Sequence, residues 1–161
     1  MHPDYCWDLI DHQDILVFSL WWGEDLLLLA NICSDEQQTA ICLLYEWTMD
    51  WPGLFLMGRD FNCWHHNWDP QGLDGNIHAS HLEAAATCLG LFRCIPEGEG
   101  PTHFSYNPLL KPIVIDLLYL PMEQLLCMWH CIMPNIRGIF DHTLLVTDVP
   151  TPMFEMAQSK L

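Results

Sequence analysis

Three places in this chain of 161 residues set groups capable of acid–base or metal chemistry beside apolar segments. The first is Asp60 and Asn62 in "LFLMGRDFNCWHHNWDP". In an extended chain, side chains two residues apart project to the same side. A carboxylate and a carboxamide so placed could hold a water or a metal ion and also touch a phosphate oxygen. The same pair equally suits an Asx-type turn leaving a strand. The second is Asp116 in "PIVIDLLYL". A carboxylate in so apolar a run is costly to bury unless it is paired or ligates something; a sheet edge with its side chain in water is the other reading. The third is Asp141 and His142 in "FDHTLLV". Imidazole titrates near neutral pH, so this pair can serve a metal and a proton transfer, or simply line a solvated loop.

The elements that must position these groups are legible from apolar patterning. "DILVFSLWW" (14–22) and "LLLLANIC" (26–33), joined by "GED", predict a strand, tight turn and strand. Ser34 as N-cap with Gln37 three residues on predicts a capping box. The helix it opens runs to about Met49, with Ala40, Leu43, Leu44 and Trp47 on its apolar face, and Trp51-Pro52-Gly53 breaks it. "LFLM" is a short strand of the buried kind, and residues 63–75 have the composition of a long loop. Asn76 caps a second helix that turns Leu82, Ala85, Ala86 and Leu89 inward and stops at Gly90. "LFRCI" is a further strand, followed by the turn "PEGEGP". "THFSY" and "KPIVIDLLYL" read as paired strands joined around Asn107-Pro108, the second ended by Pro121. "CMWHCIM" suits strand or helix, and "HTLLVTDV" is a last strand before a poorly ordered tail. Strands outnumber helices and cluster as hairpins, so the class is α+β, in one domain by length.

Composition narrows the partners. Five basic residues face 21 acidic ones, a net charge of −16. Affinity that rests on neutralising phosphates needs a basic contact face. The charge therefore leaves three readings: a partner other than nucleic acid, a metal ion that supplies local positive charge, or a binding surface outside this chain. The longest stretch free of Asp, Glu, Lys and Arg is "QLLCMWHCIMPNI", short of the roughly 20 apolar residues that cross a bilayer. The start, "MHPDYCWDLIDHQD", is acidic where a signal peptide would be basic and then apolar, so no membrane or export role is expected and an intracellular site is. The eight cysteines contain no C-x-x-C pair. "CWHH" and "CMWHC" carry ligand residue types without the paired pattern of structural zinc, and the cysteines are expected reduced, several of them in the core.

Taken in order, "G-x-D-F-N", "I-D-L" and a "D-H" just before a terminal strand resemble the endonuclease/exonuclease/phosphatase family. Within it, the motifs are most similar to those of the apurinic-type endonuclease domains of non-LTR retrotransposons, those of fungi in particular. "DFNCWHHNWDP" matches the "GDFN" motif and the His-His and Trp-rich loop that follows it there. The resemblance runs from "DILVFSL" to "LLVTDV". It implies an extension over residues 1–13, a domain over 14–149 and a tail over 150–161. The fold implied is a four-layer α/β sandwich lacking its first strands, since two upstream segments of the family, bearing an asparagine and a metal-binding glutamate, have no match here. By resemblance, Asp60 orients or deprotonates the attacking water and Asn62 contacts the phosphate. Asp116 orients His142, which stabilises the pentacovalent transition state. Asp141 belongs to the metal shell, and Thr102 in "GPTHF" contacts substrate. The implied cofactor is Mg²⁺, with Mn²⁺ as a substitute, and the implied partner is DNA. His65, His66 and Trp68 are expected to pack the loop. The family's phosphate-contacting tyrosine is Cys33 here, the serine before "DH" is Phe140, and Arg59 is inserted into "GDFN", where it would lengthen the turn and re-aim Asp60. Such departures predict an uncovered sheet face open to a protein partner. They set beside the endonuclease reading an alternative, a catalytically inactive fragment or an acidic interaction module retaining part of the fold.

Overall fold

In the computed structural model, which describes residues 3–5, 10–22, 25–46, 53–69, 75–95, 100–126, 128–133 and 141–149, the chain begins with three strands. They are β1 (Pro3–Tyr5), β2 (Ile15–Trp22) and β3 (Asp25–Cys33). Helix α1 (Thr39–Glu46), β4 (Leu54–Asp60), α2 (Ile77–Cys88), β5 (Leu91–Arg93) and β6 (Asp116–Pro121) follow. A short α3 (Met122–Leu125) leads to β7 (Trp129–Met133) and β8 (Leu144–Asp148). The first six strands form one mixed sheet in the order β1-β2-β3-β4-β6-β5, and β7 and β8 form a second. Within the large sheet β3 and β4 run parallel, with α1 as their crossover, and the remaining neighbours are antiparallel. The class is α+β, as the strand-rich pattern predicts.

Period-two patterning explains why the large sheet has a helix-covered face. Ile15, Val17 and Ser19 of β2 stand opposite Ile32, Ala30 and Leu28 of β3, and all six are buried. The five apolar ones join one core with Ala40, Ile41 and Leu44 of α1, Ala79, Leu82, Ala85 and Ala86 of α2, and Leu117 and Tyr119 of β6. Each fully buried Leu or Ile contributes about 1.5–3 kcal/mol, so this face carries most of the stability. On the opposite face Leu16, Phe18, Leu20, Leu27 and Leu29 are only half-buried. The second sheet lies near β6, where Leu117 and Leu118 share cavity walls with His130 of β7.

Asn76 caps α2 as expected, its side-chain oxygen accepting the His78 N–H at 2.8 Å, and Gly90 ends it at φ +70°. The start of α1 differs. Ser34 is not its N-cap: a turn intervenes, Gln38 takes φ +61°, and the Gln38 carbonyl accepts the Cys42 N–H. Asp35 supplies the side-chain cap, accepting from both the N–H and the hydroxyl of Thr39 at 2.9 Å. An ionised carboxylate outcompetes a hydroxyl for these donors. The expected end of this helix, with Trp47 and Met49, lies outside the described residues. "THFSY" and the first half of "KPIVIDLLYL" are not full strands. They meet at a single bridge, His103 to Ile113, because Pro112 has no N–H to add, and regular pairing begins only at Asp116.

Candidate active site

The C-terminal end of β4, the start of β6 and the approach to β8 converge on one corner of the large sheet. Asp60 and Asp116 are direct partners across β4 and β6, which places two carboxylates from distant sequence side by side. Arg59 lies within β4, opposite Leu117, with φ +116° and an exposed side chain, a local backbone strain one residue before Asp60. Past the strand, Asn62 adopts φ +48°, a conformation Asn tolerates. Its N–H donates to Asp60 Oδ1 at 2.8 Å, and its carbonyl accepts from the Gln38 side chain. The turn holds Asp60 through Oδ1, and Oδ2 lies toward His142.

His142 reaches this corner from the other side. Its Nδ1 is 2.8 Å from Asp116 Oδ2; the carboxylate accepts, so Nδ1 carries the proton. That leaves Nε2 facing Asp60 Oδ2 at 3.8 Å and Asp141 Oδ1 at 3.8 Å. Neither separation is a direct hydrogen bond, and a water or phosphate oxygen lying beside the line between them can reach both. Burial raises the Asp60 carboxyl above its ordinary value, the Asn62 amide opposes this, and the negative charge of Asp116 adds to it. For His142, burial acts to lower the value, but the hydrogen bond and charge of Asp116, together with Asp60 and Asp141, outweigh it and hold the imidazole above its ordinary range. A proton is thus favoured on the imidazole, and Asp60 is the more basic for its burial.

Thr102 is 1% exposed, and its hydroxyl oxygen accepts the N–H groups of both Ile115 and Asp116 at 3.0 Å. It makes a brace that sets where β6 begins. Cys33 stands in register with Asp60 on β3 and is exposed; Phe140 lies outside the described residues. The loop histidines pack as expected. His65 and His66 rings lie 4.0 Å apart, Trp68 is buried, and the Arg93 guanidinium sits 5.6 Å above it. Cys63 and Cys94 are buried free thiols, and burial pushes both up to about 12, which keeps them protonated and poor metal ligands. Cys127 lies outside the described residues.

Two residues at this corner carry no signal in the motifs. Gln38 ties α1 to the Asn62 turn. His103, next to Thr102, places Nε2 3.6 Å from Asp141 Oδ2. Asp60, Asp116 and His142 form one set of side chains able to hold a metal ion, and His103, Asp141 and His142 form another. A polar residue inside the apolar "PTHF" segment is the one sequence cue to His103.

No protein-family model matches this chain, and no curated protein matches it. In three dimensions it is similar to the endonuclease domain of TRAS1, a telomere-specific non-LTR retrotransposon. The TM-score is 0.71 at 14% identity, over 94% of this chain and 69% of that one. It is also similar to an endonuclease/exonuclease/phosphatase family protein from Leptotrichia buccalis C-1013-b, with a TM-score of 0.55 at 13% identity, over 93% of this chain and 61% of that one. At such identities the likeness is one of fold. The chain carries the endonuclease/exonuclease/phosphatase-type fold that its ordered motifs imply.

Proposed function

We propose that this chain is a phosphodiesterase domain of the nuclease type that cleaves DNA with the help of a divalent cation. The observation that carries the reading is the placement of His142 Nε2 3.8 Å from Asp60 Oδ2 while Asp116 holds its other nitrogen at 2.8 Å. Asp60, more basic than a surface carboxylate, orients a water and takes its proton as the oxygen attacks phosphorus. The imidazolium of His142 donates to a phosphoryl oxygen as negative charge builds there. The bond from phosphorus to the leaving oxygen breaks, and that oxygen takes up a proton. Asp116 positions His142, Thr102 positions Asp116, and the Asn62 carboxamide supplies a phosphate contact.

A metal ion fits these residues. Asp60, Asp116 and Asp141 each approach the one imidazole of His142, at 3.8, 2.8 and 3.8 Å, a concentration of carboxylate charge that a cation would relieve. Oxygen ligands of this kind suit Mg²⁺, with Mn²⁺ as a substitute. Asp141 would belong to its shell, and the ion would offset phosphate charge in a chain of net charge −16.

Nicking of supercoiled plasmid by the purified chain tests the reading, in Mg²⁺ and in EDTA, beside Asp60→Ala and His142→Ala. Mg²⁺-dependent nicking that falls by about 10²-fold or more in each variant is expected. A folded chain that nicks nothing would sink the reading in favour of a non-catalytic domain that keeps the fold for binding, a role its acidity and the loss of tyrosine at Cys33 would suit.

A further inference from the structure

His103 stands directly opposite His142. The Phe104 N–H donates to the Asp141 carbonyl and the Thr143 N–H to the Thr102 carbonyl, both at 2.7 Å. These bonds flank the two histidines and make them a non-hydrogen-bonded antiparallel pair, the arrangement that brings opposed side chains closest. On its other side His103 exchanges both backbone bonds with Ile113, at 2.9 and 3.0 Å. Its main chain is therefore held from two directions before any ligand arrives.

The side chains meet accordingly. The ring centroids of His103 and His142 are 4.9 Å apart. Asp141 lies between them, with Oδ2 3.6 Å from His103 Nε2 and Oδ1 3.8 Å from His142 Nε2. One ligand atom from each of the three lies within 4.8 Å of the others, and an ion that binds tetrahedrally at about 2.0–2.1 Å sets its ligand atoms about 3.3 Å apart, so side-chain movement of up to about 1.5 Å would close the three around it. The side chains are 23%, 33% and 33% exposed, which leaves an approach from solvent. Two imidazoles and one carboxylate favour a zinc-class cation, whereas Mg²⁺ seeks oxygen alone. A ligating histidine nearly always gives its other N–H to a carboxylate, a backbone carbonyl or water, and His142 already gives Nδ1–H to Asp116 at 2.8 Å.

We propose that His103, Asp141 and His142 form a binding site for a zinc-class divalent cation, overlapping the catalytic corner through Asp141 and His142. The site stands on these distances alone. Its consequence rests on the function proposed above: a cation there claims Nε2 of His142 from the phosphate, so zinc inhibits cleavage in competition with turnover.

The test is Zn²⁺ binding to the full chain in excess Mg²⁺, by competition with a colorimetric chelator, for the parent, His103→Ala and His103→Phe. One equivalent is expected to bind the parent and to weaken at least tenfold in each variant. A Co²⁺ complex of the parent reports the ligand type without any variant, and is expected to lack thiolate charge-transfer absorption. Undiminished binding in folded His103 variants, or a thiolate band for the tight equivalent, overturns the site. Plasmid nicking with graded Zn²⁺ tests the consequence: half-inhibition is expected to need at least tenfold more zinc in His103→Phe. Nicking that ignores zinc while His103-dependent binding persists overturns the inhibition. If the chain nicks nothing, the proposed function fails while His103-dependent binding still supports the site.

Discussion

At the residue scale the corner is a set of held pairs, Asp116 Oδ2 with His142 Nδ1 and the Asn62 N–H with Asp60 Oδ1, each at 2.8 Å. Asp116 holds His142 above its ordinary protonation range, so the folded chain binds that proton more tightly than the unfolded chain. The stabilisation is complete below the unfolded value of about 6.5 and fades as pH rises through the folded one. Asp116→Asn, measured by urea unfolding in EDTA, should therefore cost more stability at about pH 6 than at about pH 9. Equal costs would mean that the pair carries no charge in the fold. Thr102 makes a different case. Thr102→Val removes the oxygen that accepts two amides and should cost about 1–3 kcal/mol, with nicking slowed through kcat. A rise in KM with stability intact would instead restore the substrate contact that its position in "GPTHF" implies.

Between elements, the close approach of β4 to β6 is what sets Asp60 opposite Asp116. Gly58 faces Leu118 in that register. A Cβ there would meet Leu118 Cδ1 at 2.7 Å and the Leu117 carbonyl at 3.1 Å. The leucine tip can swing away, but the carbonyl belongs to the ladder. Gly58→Ala should destabilise by about 1–3 kcal/mol, with Leu118→Ala restoring part of the loss in the double variant. A neutral Gly58→Ala in thermal and urea melts would mean that the two strands can part without harm. Arg59, one residue on, takes φ +116°, and Asp60 stands opposite Asp116.

For the molecule as a whole, the charge of −16 decides how DNA could be held. Proteins that make 6–10 phosphate contacts lose about 10³–10⁵ in affinity between low and moderate salt. With 21 acidic residues and five basic ones, this chain should bind DNA only when a divalent cation is present, and with a far shallower dependence on NaCl. A titration of labelled duplex in Mg²⁺ across a range of NaCl, repeated in EDTA, checks this. Tight EDTA-resistant binding with a steep salt slope would point to a basic surface that the composition denies. No helix of the described residues is long and apolar enough to cross a membrane. Among them the far face of the β2–β3 hairpin is apolar and half-covered.

What the sequence by itself determined is local and chemical. Apolar alternation placed β2, β3 and β8, Asn76 and Gly90 bracketed α2, and the acidic excess followed from counting. The "DFN", "IDL" and "DH" motifs singled out Asp60, Asn62, Asp116, Asp141 and His142 as candidates and, through resemblance, gave the fold. Tertiary structure alone decided the rest, because it depends on register between segments far apart in the chain. Nothing near Thr102 announces that its oxygen will lie under two amides of β6. Neither does anything near His103 announce that Asp141 and His142 will stand across from it. Ser34 looked the better helix cap until a left-handed Gln38 moved the first turn and Asp35 reached it. Side-chain propensities extend over a few residues, whereas a sheet register is set by the packing of its whole buried face. That face brings residues 60, 103, 116 and 142 to one corner.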